Sequence, residues 1–266
     1  MFSSTRSPAV AGLFYPADPV ELTKQLKSYL AKVGTQQDLS SKRPKAIIVP
    51  HAGYIYSGEV AAHAFASIGA NANKIKRVVL IGPAHTIYLQ GCALPEMTHF
   101  ETPLGFLDID KHSINSLSSY EGVTTSDLPH QNEHSLEVQL PFLQHLISEF
   151  TLIPIVVGDI MPNIMADILQ RVWGGDETLI VVSTDLSHFH QYEEALYIDS
   201  KTCQKVLALS CDISSEQACG CRALNAIALQ ARRHNLNITQ LSYRNSGDTS
   251  AGDKERVVGY ASFVID

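Results

Sequence analysis

The sequence predicts a single α/β domain over residues 1–266, built on a mostly parallel sheet with helices on both faces. Apolar strand-like runs alternate with helix-like stretches, and parallel neighbours need crossover helices that then cover the sheet. The chain has 266 residues, of which 45% are hydrophobic, so it can bury a substantial core. No linker rich in proline, serine or glycine divides it, and α/β folds often reach this length as one domain.

The predicted strands are short apolar runs rich in β-branched residues, which is typical of strands buried on both faces. They cover residues 46–49, 78–81, 152–157, 179–182 and 257–265. Helical periodicity predicts helices over residues 20–30, 59–68, 134–147, 163–172, 193–209 and 216–234. The segment 92–128 fits neither pattern, because the stretch THFETPLGFLDID suits either a hairpin or an irregular flap.

Charge and hydropathy exclude two classes of partner. The net charge is −7 with a pI near 5.9, and the scattered lysines and arginines form no basic face, so we expect no nucleic acid. No run approaches the ~20 apolar residues that span a bilayer, and MFSSTRSPAVAG lacks the apolar region of a signal peptide. We therefore expect no membrane association and a cytoplasmic location.

The cysteines are expected to be free thiols, since there are 5 of them and no export signal. Cys211, Cys219 and Cys221 lie close together, which raises the question of a zinc site. Their spacing lacks the paired C-x-x-C arrangement, so we interpret them as small buried residues.

Candidate ligands follow the ends of predicted strands, where open α/β sheets collect their ligands. His51 follows AIIVP, His85 follows VVLIGPA, and Asp185 and His188 follow LIVVST. If the strands before His51 and His85 are neighbours, roughly 5 Å apart, two imidazoles can share one metal ion. A single histidine at a strand end is more often a hydrogen-bonded structural residue, but the recurrence at several ends favours a site.

Two further candidates keep a structural alternative. His134 opens a predicted helix, with Glu137 one turn along the same face, and pocket and structural roles are equally supported. Asp248 in NSGDTSAGD can project a carboxylate to the sheet end and complete a two-histidine, one-carboxylate iron site. As the first residue of an Asx-turn it needs no metal.

Taken together, six ordered blocks resemble the Memo family, including the prokaryotic members called AmmeMemoRadiSam system protein B. The blocks extend from residue 6 to the last strand and read RSPAVAGLFYPAD, PHAGYIYSG, IGPAH, NEHSLEVQLPFL, STDLSHF and NSGDTSAGD followed by VVGYASF. The resemblance implies a fold similar to class III extradiol dioxygenases. It also implies partners among radical SAM and AMMECR-type proteins.

The resemblance also implies site residues. The animal family member is described as binding iron or copper through two histidines and a cysteine, and also phosphotyrosine peptides; His51 and His85 match those histidines. The cysteine has no counterpart by this comparison, and its place falls around Asp248 or Thr249. Asp185, His188 and His134 match other pocket residues, and His188 matches a histidine that handles the substrate's proton.

Three functional hypotheses follow. The first is a redox enzyme with Fe(II), or else copper, at His51, His85 and Asp248, with His188 as general base and Asp185 orienting an imidazole. The second is a vestigial pocket that binds a peptide or small ligand without catalysis. The third is a zinc hydrolase, since the same ligand set with an open position also activates water.

Overall fold

The computed structural model describes residues 4–33 and 43–266. The strands are β1 (Thr5–Arg6), β2 (Ala46–Val49), β3 (Arg77–Pro83), β4 (Cys92–Leu94), β5 (His99–Thr102), β6 (Gly105–Asp108), β7 (Val123–Thr125), β8 (Thr151–Val157), β9 (Thr178–Ser183), β10 (His188–His190), β11 (Ile238–Asn245) and β12 (Val257–Ile265). The helices are α1 (Pro19–Val33), α2 (Tyr54–Ala66), α3 (Lys111–Leu117), α4 (Leu128–Gln131), α5 (His134–Glu137), α6 (Leu140–Leu146), α7 (Pro162–Arg171), α8 (Tyr192–Leu207) and α9 (Cys221–Arg233). Short 3₁₀ turns cover Gly69–Lys74 and Ser246–Asp248.

The centre of the molecule is a parallel sheet with the strand order β2, β9, β3, β8. Antiparallel pairing extends it at both edges, where β4 joins β8 and β12 joins β2. β7 then pairs with β4, while β10 and β11 both pair with β12. The predicted α/β class is confirmed, and every predicted strand is present in this sheet.

Helices cover both faces of the sheet, as predicted. On one face α1, α2 and α6 pack together, with the Phe65 and Phe142 rings stacked 4.7 Å apart. On the other face α7 packs on α9, and Ile48 of β2 lies with Ile227 of α9. Because successive strand residues point to opposite faces, β2 contributes to both layers of one continuous hydrophobic core.

Several predicted segments differ in detail from the structure. The helix predicted over 134–147 is divided into α5 and α6, and Pro141 in the first turn of α6 explains the break, since proline cannot continue a helix from the preceding turn. The helix predicted from residue 216 begins only at Cys221, after Gly220. Within 92–128 the hairpin alternative is correct, because β5 and β6 pair antiparallel and β1 joins β5 in a small second sheet.

Across residues 4–33 and 43–266, no helix combines the length and apolar character needed to cross a membrane.

Candidate metal site

Three imidazoles converge at the carboxyl end of the parallel strands. His51 follows β2, His85 follows β3 and His134 is the first residue of α5, and one nitrogen from each lies within 4.8 Å of the others. The ring centroids of His51 and His85 are 5.2 Å apart, and those of His85 and His134 are 4.8 Å apart. β9 lies between β2 and β3, so the expectation that these two strands are neighbours is wrong. The imidazoles of His51 and His85 come together through the loops that follow the two strands.

Hydrogen bonds fix the tautomer of the His51 ring. Its Nδ1 lies 2.9 Å from Ser183 Oγ, while the Ser183 hydroxyl donates to the Ser135 carbonyl at 2.6 Å. A hydroxyl has one proton, so Ser183 Oγ accepts from His51 Nδ1–H and from the Gln139 amide. The Nε2 lone pair of His51 is therefore available as a ligand.

Glu133 orients the second imidazole. Its carboxylate accepts from the backbone N–H of His85 at 2.6 Å and from His85 Nδ1 at 3.0 Å. Burial favours the neutral acid, but these hydrogen bonds and one from the Ser135 backbone lower the pKa of Glu133 to about 2. An ionised carboxylate can only accept hydrogen bonds, so His85 Nδ1 carries the proton. The lone pair of His85 Nε2 is therefore available to a metal ion. Carboxylates that hold a ligand histidine in this way are usual at metal sites.

The His51 ring is buried and the His134 ring is half-buried, and both lie near other imidazoles. Burial, followed by the charges of neighbouring histidines, holds the pKa of His51 well below its ordinary value. Burial also lowers the pKa of His134, whose ring packs on Phe14 with centroids 5.0 Å apart. Both rings are thus in the neutral form that metals bind.

A close approach between β3 and α5 brings His134 to the cluster. A Cβ atom on Gly82 would lie 2.8 Å from Ser135 Oγ and 3.0 Å from a Leu136 methyl carbon, so a larger residue there would push α5 away. Ser135 Oγ donates to the Pro83 carbonyl at 2.9 Å across the same contact. The GPAH sequence therefore places both His85 and the helix that carries His134.

A cysteine also reaches the cluster, contrary to the expectation that the pocket has none. Cys219 Sγ lies 3.4 Å from His51 Nε2 and accepts from the Asp185 backbone N–H at 3.3 Å. Burial raises the pKa of Cys219 to about 12, with a further contribution from the Asp185 charge. A Cβ on Gly220 would lie 2.6 Å from Thr184 Cβ, so the glycine permits the approach. The interpretation of Cys219 as a small buried residue did not include this contact with His51.

Asp185 supports the loop rather than a ring. Its buried carboxyl accepts from the His51 backbone N–H at 2.8 Å, and the His51 ring is oriented by Ser183 instead. The predicted role of Asp185 in fixing a tautomer is corrected accordingly. Burial raises the pKa of Asp185 to about 7.

His188 lies at the mouth of the site. With His85 and Cys219 it lines a cavity of about 810 Å³ that opens outward from the cluster. Burial lowers the pKa of His188, which favours the neutral ring, the form with a free lone pair.

Asp248 is placed outside the cluster. Its exposed carboxylate accepts from the Tyr192 hydroxyl at 2.6 Å and from the Asn245 backbone N–H at 2.9 Å. Asp248 closes the 3₁₀ turn before β12. This agrees with the alternative that its side chain stabilises a turn, and not with the expectation that it is a metal ligand.

The sequence interpretation missed three supporting residues: Ser183, Glu133 and Cys219. Glu133 stands in the NEHSLEVQLPFL block, of which only His134 and Glu137 were considered as candidates from the sequence. The position of Glu133 directly before the candidate residue His134 was the feature of the sequence that could have indicated its role. For Cys219 the signal was the adjacent Gly220, but the helix predicted from residue 216 concealed it.

Comparisons with known proteins agree with this architecture. The family described as "Memo-like protein" matches residues 6–264. The chain belongs to the Memo-like family. A MEMO1 family protein of Methanosarcina mazei is 34% identical over 98% of this chain and 99% of its own length. MEMO1 family proteins of Methanopyrus kandleri and Sulfolobus acidocaldarius are 34% and 31% identical, over 98% and 97% of this chain and 98% of their own lengths in each case.

The Memo-like chain also shares its fold with a more distant solved structure. The crystal structure of the uncharacterized protein JW3007 from Escherichia coli K12 gives a TM-score of 0.50 at 10% identity, covering 83% of this chain and 99% of that chain. At this identity the likeness shows the fold alone, because one fold hosts many chemistries.

Proposed function

We propose that this Memo-like protein holds a transition-metal ion between His51, His85 and His134 and uses it in redox chemistry on a small molecule. The observation that supports this is the convergence of three imidazole nitrogens within 4.8 Å. In two of the rings Nδ1 is engaged by the protein, which leaves Nε2 as the donor. Fe(II) is the first candidate and copper the second, with zinc as the non-redox alternative.

The donor set fits such an ion with one revision. Imidazole suits iron, copper and zinc, and three nitrogens that lie within 4.8 Å of one another can serve one ion. The carboxylate ligand expected from Asp248 is replaced by His134, with the Cys219 thiol as a further donor beside His51. When bound, the metal would supply electron transfer and Lewis acidity at its open positions.

The chain's own residues take separate roles around the ion. Ser183 and Glu133 fix two ligand rings, and Asp185 holds the backbone of the loop that carries His51. His188 shares the cavity with His85, so it can accept a proton from a hydroxyl bound there. The radical SAM and AMMECR-type partners implied by the family resemblance stay a proposal.

Metal content tests the proposal directly. The purified protein is stripped with a chelator, reloaded anaerobically with Fe(II), desalted and measured by elemental analysis. Wild type is expected to retain about one ion per chain, and the His51→Ala/His85→Ala double variant less than about a tenth of that. A matched control replaces His112 and His234, exposed histidines outside the cluster, and should retain metal fully.

The same assay with copper and zinc covers the other candidate ions. Unchanged metal content in the His51/His85 variant, or no retained metal in wild type with any of the three ions, would contradict the proposal.

A further inference from the structure

The cavity at the metal site continues outward beyond the histidines. It encloses about 810 Å³, with His85, His188 and Cys219 at one end and residues of α8 and of the loop before α9 at the other. At the first end His188 and Cys219 are half-buried and His85 is exposed, and at the other end Tyr197, Lys201 and Glu216 are exposed, so the cavity joins the cluster to the surface. Cavities of this size hold small molecules.

The outer end presents a cation next to an aromatic face. Lys201 and Tyr197 are one turn apart on α8, and Lys201 Nζ lies 5.7 Å from the Tyr197 ring centroid. Tyr197 is 68% exposed, which leaves much of its ring open to a ligand. Within residues 4–33 and 43–266, no carboxylate lies within 4 Å of Lys201 Nζ, so its charge is not neutralised there.

The other basic side chain at this end already has a partner. His190 also lines the cavity, but its Nδ1 lies 3.2 Å from the Glu194 carboxylate. Lys201 is therefore the group best placed to receive an anionic ligand, and its partial restraint over Tyr197 lowers the entropy lost on binding.

A carboxylate on the opposite wall of the cavity, formed by the loop before α9, limits the charge of that ligand. Glu216 lies on the loop before α9 and lines the same cavity. A dianion such as a phosphate monoester would bind Lys201 while being repelled by Glu216, whereas a single carboxylate meets less repulsion. Lys201 of α8 and Glu216 of the loop before α9 together favour a ligand with a single negative charge.

Resting on the proposed function, we infer that the substrate is a small organic monoanion. Its carboxylate pairs with Lys201, its apolar body lies on Tyr197 and Ile198, and its far end reaches the histidine cluster. Lys201 thereby determines the specificity of the site.

Calorimetry with three probes tests the inference on the metal-loaded full-length protein. The probes are 3-phenylpropanoate, its neutral analogue 3-phenylpropanamide, and phenyl phosphate. Wild type should bind the acid about fivefold more tightly than the amide, since a partly exposed ion pair contributes about 1 kcal/mol. Lys201→Met should abolish this preference and Lys201→Arg should keep it. Lys27→Met, which removes an exposed lysine of α1, is the matched control and should leave it unchanged.

Glu216→Gln tests the charge limit separately. It should raise the affinity for phenyl phosphate by a larger factor than the affinity for 3-phenylpropanoate. Equal binding of acid and amide by wild type, a preference that survives in Lys201→Met, or tighter binding of phenyl phosphate than of the acid by wild type would each overturn the inference.

The outcome is separable from that of the metal proposal, because elemental analysis is performed on the same samples. A Lys201-dependent preference for the acid in protein that retains no metal would support the anion site and contradict the metal site. Full metal content without any preference for the acid would contradict only the anion site.

Discussion

At the scale of single residues, the site depends on where each ring nitrogen finds its partner. His51 is 1% exposed, and a buried imidazole with two unsatisfied nitrogens would be costly. Ser183 satisfies Nδ1, and Nε2 faces the other two histidines and Cys219. This explains why a buried apolar strand ends in a histidine: the residue is packed as part of the core and presents one nitrogen to the pocket.

Cys219 gives the first prediction at this scale. If the thiol joins the metal ligands, Cys219→Ser should lower metal affinity about tenfold or more, because a hydroxyl is a poor ligand for soft metal ions. It should also remove the thiolate charge-transfer band from the Co(II)-substituted protein. Cys221→Ser is the matched control, since Cys221 is a buried cysteine two positions along the chain and outside the histidine group. Equal spectra for Cys219→Ser and wild type would rule out a bond from this sulfur.

Residues that directly follow strands could be predicted from sequence, and those that arrive from elsewhere could not. His51, His85 and His188 were found because the carboxyl ends of parallel strands share one edge. Cys219 contacts His51 across 168 positions of sequence, a proximity that no local pattern encodes. Asp248 was suggested by its place in the polar loop before the last strand, but its side chain satisfies the backbone of its own turn.

At the scale of elements, α5 is held in place by the N-terminal segment. Arg6 Nη1 lies 2.6 Å from the Glu137 carboxylate, with both side chains buried. Arg6 also donates to the carbonyls of His130 and Glu133, while the Tyr15 hydroxyl donates to Glu137 at 2.6 Å. Glu137, noted in the sequence as a neighbour of His134, therefore anchors the helix that carries His134.

Breaking this ion pair should weaken both the fold and the site. Arg6→Met leaves a buried Glu137 charge unpaired and should cost about 3–5 kcal/mol in the free energy of unfolding, measured by urea titration. Metal affinity should fall as well, because α5 loses its anchor. The control is Arg233→Met, which removes a half-exposed pair with Asp167 at 2.7 Å and should cost less than about 1 kcal/mol. Similar losses for the two variants would show that the buried pair has no special role.

Elements with a strong hydrophobic signal were predicted well, and short or mixed ones were not. β2, β3, β8 and β9 are almost wholly buried, so their apolar runs stand out. β11 is half-buried along most of its length and shows no clean alternation, so its sequence ITQLSYRN carried no strand signal. Its formation depends on pairing with β12, a long-range contact.

At the scale of the whole molecule, buried histidines link the core to acid sensitivity. His130 is 1% exposed, its Nε2 lies 3.1 Å from the Ala93 carbonyl, and burial lowers its pKa to about 3. Between the unfolded pKa near 6.5 and this value, the unfolded chain binds a proton that the folded protein does not. Stability contributed by His130 is thus present above about pH 6.5 and is lost as the pH falls, by about 1.4 kcal/mol per pH unit.

His130→Gln should flatten this dependence while keeping a donor for Ala93. Urea unfolding of chelator-treated protein at about pH 7 and about pH 5 should show a smaller loss of stability in this variant than in wild type, by about 2 kcal/mol at most. His112→Gln, at an exposed position of α3, should behave as wild type. An unchanged pH dependence in His130→Gln would mean that this ring is not buried in its neutral form.

The whole fold brings residues from the strand ends, α5 and the loop before α9 together, and we propose that they form one metal site. Anomalous X-ray scattering tests this proposal most directly. A crystal of Fe(II)-loaded protein, measured on both sides of the iron edge, should show one strong peak bonded to the Nε2 atoms of His51 and His85 and to the His134 ring. A peak bound elsewhere, or no peak in fully loaded protein, would contradict it.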